Sequence, residues 1–505
     1  MTFPRPLAAL TLAMGISVAA QQPQTKPVSL EDCLQMALQK NLDIRIAQYS
    51  PLQSALSLNT AQWAYDPNFT AGASQAFRAS EGFAGIGQFN TGSNESWSER
   101  FDTGFNGTVP TGLQYSLTSA VNRQSGSNSR FDPVTGTFVQ EDAGFTYTPN
   151  ISLQMSQPLL RNLWIDTPRL NIQLERKNLK QSEADVENQV MLTTTDVAVA
   201  YLDLIAARES VRVQQKALEL AERLQLENKT RVQVGTMTQL ELDDAGAQVA
   251  RSRADLITAQ QSLATAQNNL KRLISDDFAA LAETDLEPTA QLGAVPETFS
   301  RLDSWHKGMT MRPDLRRSQL DLEKQKIQLK FARNQMFPQL DLNGSYGVSG
   351  QDNQLTPSLD DISSQRNPNF SAGIRLTIPL SNKRARNSYQ SAKLLNEQLL
   401  LRYKQQEQGI LIEIDNAIRS AQSALERVQA TDASRQYSDS VLWAEQKKLE
   451  AGKSTSYQVL LRQRDLTAAE SQAIQSKSDY NKALARLARA EGFTLKRYGL
   501  RLDVR

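Results

Sequence analysis

The side chains that most often carry chemistry are scarce in this chain, which has one cysteine, Cys33, and one histidine, His306, in 505 residues. A single Cys closes no intrachain disulfide, and one Cys with one His falls short of the ligand set of a structural zinc site. His306 stands in Trp305-His306-Lys307 on a short helix, where a partly buried structural histidine is expected rather than a general base. Cys33, on a polar-flanked helix, is expected to be a small buried residue. No Gly-rich loop followed by Lys and Ser or Thr is present to cradle phosphate, and no Gly-x-Ser-x-Gly elbow accompanies the histidine. The stretch Gly82-Phe-Ala-Gly-Ile-Gly87 is glycine-rich but lies between strands with no helix after it, so it is not read as a nucleotide site. The expectation is a protein without catalysis, cofactor or metal.

Function must then lie in the elements. The 56 basic and 54 acidic residues nearly cancel, to a net charge of +2, which argues against a nucleic-acid partner. Aromatic residues make up only 7% while Ala, Gln and Leu are abundant, the composition of long helices rather than of a compact enzyme. At the start, Arg5 precedes the apolar run Leu7 to Ala20, and Val18-Ala19-Ala20 offers small residues before Gln21. Residues 1–20 therefore read as a Sec-type export signal; the rival, a membrane anchor, needs roughly 20 apolar residues. Beyond residue 20 no apolar run is expected to cross a membrane as a helix, so any crossing must be made by strands.

The chain repeats itself. Asn41-Leu42-Asp43-Ile44 answers to Arg312-Pro313-Asp314-Leu315, and Asp66-Pro67 to Phe337-Pro338. Gln157-Pro158-Leu159-Leu160 answers to Ile378-Pro379-Leu380-Ser381, and Val234-Gly235-Thr236 to Ala451-Gly452-Lys453. The offsets, 271, 221 and 217, put 50 more residues between the two prolines of the first half than between those of the second. The expected organisation is a first repeat over 21–275 and a linker over 276–300. A second repeat over 301–492 and a C-terminal tail over 493–505 follow. Each repeat runs short helix, β region, long helix, sharp turn, long helix. Strands are expected over roughly 68–158 and 339–380, and long helices over roughly 168–233, 237–275, 384–450 and 454–491.

Between Pro168 and Gly235 no Pro or Gly interrupts roughly 65 residues, about 100 Å of helix. Val190, Val197, Leu204, Val211 and Leu218 fall at seven-residue spacing, as do Leu242, Val249, Leu256, Leu263 and Leu270. Their counterparts 217 positions on are Val459, Leu466, Ala473, Tyr480 and Leu487. A sustained seven-residue period means supercoiling against neighbouring helices. The β segments alternate: Phe145 to Met155 carries apolar residues or Pro at odd positions. Phe370, Ala372, Ile374 and Leu376 share a face opposite Ser371, Gly373, Arg375 and Thr377. Such period-two runs of about ten residues fit a half-buried soluble sheet or a barrel with lipid outside and water inside. The export signal favours the barrel.

With these features the sequence resembles the TolC-type outer-membrane efflux family over nearly its whole length beyond the signal. The carrying residues are Ser29 to Asp43, the Gln157-Pro158-Leu159-Leu160 and Ile378-Pro379-Leu380 strand ends, and the Val234-Gly235-Thr236 turn, in duplicated order. The resemblance implies a mainly α fold with a β-barrel portion. Long coiled-coil-like helical hairpins in two structural repeats join amphipathic strands that form a shared trimeric transmembrane barrel. Each chain normally gives four strands to twelve. It further implies a passive exit duct in outer-membrane lipid with a large periplasmic part, driven by an inner-membrane pump reached through a periplasmic adaptor. The turns Val234-Gly235-Thr236 and Ala451-Gly452-Lys453 are the expected docking points. The basic cluster Lys383-Arg384-Ala385-Arg386 is expected to mark the boundary between membrane and periplasm.

Two departures stand out. The extra first-half residues include alternating runs Phe101 to Val109 and Leu113 to Val121 around Pro110-Thr111-Gly112. They fit an extended external hairpin or extra wall strands; the extended hairpin is the expectation. Where family members often carry acids just after the second turn, this chain has Gln458 and Leu461, and the first half offers Glu241, Asp243 and Asp244. Those three are candidates for an acidic ring at the aperture that prefers cations, against the alternative that acids simply suit a helix N-terminus. The rival function is a soluble periplasmic coiled-coil adaptor or scaffold, which would share the signal and heptads but would not need paired amphipathic strands.

Overall fold

A computed structural model of the chain describes residues 25–82 and 91–500. The expected signal at 1–20, most of the glycine-rich stretch 82–87 and the end of the expected tail lie outside the described residues. In order, the elements are β1 (Thr25–Val28), α1 (Leu30–Lys40), α2 (Leu42–Gln62), β2 (Asn68–Gly82), β3 (Thr91–Thr108), β4 (Gln114–Asp132) and β5 (Thr137–Pro158). The helices α3 (Thr167–Gln233), α4 (Gln239–Ile274) and α5 (Phe278–Leu281) follow, then β6 (Asp285–Pro288), α6 (Arg301–Met311) and α7 (Pro313–Asn334). The chain continues through β7 (Gln339–Ser349), α8 (Leu355–Ser363), β8 (Pro368–Thr377), α9 (Lys383–Glu450), α10 (Ser456–Ala490) and α11 (Thr494–Arg497). Two compact units form, and each draws on both halves of the sequence. Residues 25–46, 189–311 and 411–500 make the helical unit, and 47–188 with 312–410 the unit that holds the large sheet.

In the helical unit the apolar stripes meet. Cys33, Leu34 and Ala37 of α1 pack with Val197, Tyr201 and Leu204 of α3 and with Leu270 and Ile274 of α4. Cys33 is fully buried, and that burial pushes its thiol up to about 12. On α10 the seven-residue series Val459, Leu466, Ala473, Tyr480 and Leu487 is buried throughout. On α4 the buried series is instead Ala245, Ser252, Ala259 and Ala266, three residues along from the leucines. Small side chains let the helices approach closely, while Leu242, Val249, Leu256 and Leu263 are only half-covered in one chain. Tyr201 donates to the Val28 carbonyl at 3.1 Å, and Tyr480 donates to the Val295 carbonyl at 2.8 Å, so each repeat pins an extended segment with a buried phenol.

Two expectations are corrected here. His306 is exposed on α6 rather than partly buried, because Ser304 and Gly308 take the buried side of that helix. A stretch of α3 is also long and apolar enough, by length and composition, to cross a membrane, contrary to the expectation that no such run exists. Most of that stretch is buried inside the protein, so its hydrophobicity belongs to a core helix.

The second unit holds an antiparallel meander of six strands in the order β2-β3-β4-β5-β7-β8. The two runs expected to extend an external hairpin are β3 and β4, and both pair along their lengths as members of the sheet. That corrects the expectation. Their alternation matched a wall strand as well as a hairpin arm, and only the pairing decides. The connection between β7 and β8 contains α8, a short helix the strand pattern did not reveal.

Candidate channel wall and helical turns

The register of the sheet builds two unlike faces. Phe69, Phe105, Leu117, Leu153, Tyr346 and Phe370, one from each strand, lie side by side in one row. The next position along each strand gives Thr70, Gly104, Thr118, Ser152, Gly347 and Asn369 on the opposite face. Alternation of side chains by two makes one face of the sheet mainly apolar and the other small or polar. Aromatic pairs tighten the apolar face, with Phe69 and Phe105 centroids 4.9 Å apart and Phe77 and Trp97 4.6 Å apart.

The polar face is the concave one. Asn68, Asn106, Ser116, Gln154, Ser345 and Ser371, from six different strands, line a common hollow of about 650 Å³. Charges on this face are few, and Arg100 and Asp102 neutralise each other at 3.1 Å. A polar row in which Gln75 donates to Glu99 at 3.3 Å and Arg123 meets Glu99 at 2.9 Å interrupts the apolar face just before the Phe77–Trp97 pair. From Leu340 and Leu376 to Phe101 and Val121 just before that row the apolar belt covers about ten residues of strand, ~33 Å along the strand. Tilted by about 40°, that is ~25 Å, the height of an outer-membrane belt.

The sheet does not close on itself. β2 and β8 are its edges, every residue of β8 is exposed, and Phe370 keeps 84% of its surface open. An exposed apolar edge of that kind pairs with another strand or aggregates.

The helical turns lie in the other unit. Gly235 has φ +77° and Gly452 φ +67°, left-handed values that only glycine adopts without strain. Thr236 N–H donates to the Arg231 carbonyl at 2.9 Å, and Lys453 N–H to that of Lys448 at 2.8 Å, which closes both helices in the same way. Val234, Gly235, Thr236, Ala451, Gly452 and Lys453 are all exposed. After the second turn, Ser454 donates to Glu445 and Lys448 approaches it at 3.2 Å, and these two hold the Glu445 carboxyl below the usual range.

The three candidate acids are not equivalent. Glu241 forms a capping box with Thr238, accepting from its N–H and hydroxyl at 3.0 Å each. Its carboxylate is committed to ending α3–α4 reversal cleanly. Asp243 is exposed and accepts from Gln239 at 3.0 Å, and Asp244 is exposed one residue on. A residue the sequence did not single out ties the turns together: Asn228 of α3, fully buried, donates to Ser456 Oγ of α10 at 2.8 Å. Leu224, Leu442, Val459 and Leu460 pack together in the same unit.

Comparison with known proteins agrees with this architecture. The chain is 26% identical over 300 residues to the pyoverdine export outer membrane protein OpmQ of Pseudomonas aeruginosa, covering 59% of this chain and 61% of that protein. It thus spans about three fifths of the length of that curated relative. Among solved structures it superposes on CusC with a TM-score of 0.66 at 16% identity, covering 92% of this chain and 91% of that one. On the Campylobacter jejuni CmeC outer membrane channel the TM-score is 0.65 at 17% identity, covering 100% and 99%. A family model described as outer membrane efflux protein matches residues 112–275 and 309–492, and with more than half its length so matched the chain belongs to the outer membrane efflux protein family.

Proposed function

We propose that this chain is one third of a passive exit duct in the outer membrane. In this proposal three copies close one barrel and the helical turns meet a periplasmic adaptor that links the duct to an inner-membrane pump. The observation that carries the proposal is the open six-stranded sheet, apolar on its convex face, polar on its concave face and bare at both edges. Such a sheet is stable in lipid only when its edges are closed by further strands, and copies of the same chain supply them symmetrically. The polar lining then faces water. In this reading the energy source is another protein, the inner-membrane pump. The exposed turns Val234-Gly235-Thr236 and Ala451-Gly452-Lys453 are the docking points, and Asp243 and Asp244 give the aperture its preference for cations. Glu241 is better explained by its cap.

The test is extraction from outer membranes in mild detergent, followed by heating before electrophoresis and reconstitution into planar bilayers. A heat-modifiable trimer with conductance is expected. Asp243→Asn with Asp244→Asn should lower cation over anion selectivity while Glu241→Gln leaves it unchanged. A soluble periplasmic species without conductance would sink the duct and favour the adaptor or scaffold; selectivity indifferent to both aspartates would remove the acidic ring.

A further inference from the structure

We propose that β3 and β4 are full wall strands, so that three copies close an eighteen-stranded pore rather than the twelve-stranded one the family resemblance implies. The inference deepens the duct proposal and rests on it.

Three observations point the same way. First, the additional strands share the membrane-facing pattern of their neighbours. Phe101, Phe105, Leu117 and Val121 continue the apolar rows, and Asn106, Ser116, Thr118 and Asn122 continue the polar ones. An external hairpin standing in water needs no such apolar row. Second, the hairpin reaches the base of the sheet. Its turn lies against the end of β5, where Gln157 Nε2 donates to the Thr111 carbonyl at 3.1 Å and Thr111 Oγ1 donates to Gln157 Oε1 at 3.4 Å. Gly112, at φ +89°, sits so close that a Cβ there would meet Pro158 at 3.1 Å and the Asn162 carbonyl at 3.2 Å. Third, insertion is between β2 and β5, in the middle of the meander. The hairpin cannot be lifted away from this sheet without leaving β2 and one edge of β5 unpaired in lipid.

Barrel diameter grows roughly linearly with strand number, so the opening is about 1.5 times that of twelve strands. Barrels of 16–18 strands leave an aqueous channel, and here the added lining is hydroxyl, amide and glycine with one internally neutralised ion pair. The pore therefore suits bulky, hydrophilic cargo of low charge.

Two measurements on the full-length protein test this. Electron cryomicroscopy of the detergent-extracted trimer should count eighteen wall strands; twelve, with the β3–β4 hairpin outside the belt, would overturn the proposal. Independently, single substitutions Asn106→Cys and Thr118→Cys should react with a membrane-impermeant maleimide roughly tenfold or more faster than Phe105→Cys and Leu117→Cys, which face lipid. The buried Cys33 gives no background. Equal rapid labelling of all four in a protein that still runs as an outer-membrane trimer would overturn the wall assignment alone. Recovery of a soluble monomer would overturn the duct and the pore with it.

Discussion

At the residue scale, one acid is tuned where the two repeats diverge. Asn41 donates to the Leu273 carbonyl at 2.9 Å and accepts from Ile44 N–H at 3.2 Å. At the matching place of the second repeat, Arg312 grips Asp314 with two bonds of 3.0 and 2.8 Å, and Leu315 N–H adds a third at 2.9 Å. Burial pushes the Asp314 carboxyl up, but the guanidinium and the backbone donor outweigh it, and it lies below the usual carboxylate range. A depressed carboxyl contributes stability that is present above its unfolded value and lost as pH falls through its folded one. Asp314→Asn is therefore expected to cost about 1 kcal/mol at neutral pH, discounted for partial exposure. That loss should shrink as the pH drops below about 3.9. Thermal melts of the detergent-solubilised pair at neutral and acid pH measure it, and a gap that stays constant with pH would remove the charge from the explanation.

At the scale of elements, the packed helices hold the turns with one buried polar bond. Asn228 and Ser456 join α3 to α10, that is, the first hairpin to the second. An aperture that opens by separating packed helices must break this bond. Asn228→Ala should shift the closed-to-open balance by about 1 kcal/mol, roughly fivefold in open time on single-channel records. Ser456→Ala should do the same, and the double variant should add little because both remove one interaction. Open times unaltered by either change would mean the two hairpins move as one body. Asn228 was not legible in the sequence because a polar residue in a helix reads as solvated until its neighbour across the bundle is known. The seven-residue period did find the buried face of α10, whose large residues meet partners inside the chain. On α4 it pointed to Leu242, Val249, Leu256, Leu263 and Leu270, of which only Leu270 is buried, whereas Ala245, Ser252, Ala259 and Ala266 are the buried series along the rest of the helix. Period two likewise revealed β3 and β4 as strands, but which strands they pair with is a property of the sheet and not of either segment.

At the scale of the whole molecule, what the single chain leaves uncovered says what assembly must cover. The bare edges of β2 and β8 call for strand pairing with other copies, and α2 carries a second open surface. Its residues Leu42, Ile46, Tyr49 and Leu56 are each at least half exposed, and their spacings of four, three and seven place them along one side of the helix. A soluble monomer rarely leaves so continuous an apolar stripe open. If α2 lies in a seam between copies, charges placed there will block assembly while leaving the single chain intact, because both positions face solvent within it. Tyr49→Glu combined with Leu56→Glu is expected to abolish the heat-modifiable trimer and to lower outer-membrane recovery, with helix content by circular dichroism maintained. A second pair of charges on an exposed side away from the stripe, Gln48→Glu with Gln62→Glu, controls for charge alone and should leave the trimer in place. A trimer that survives the stripe substitutions would put the seam on other helices and leave lipid or a further protein as the cover for α2. Loss of the trimer in both variants would assign the effect to charge rather than to the apolar stripe.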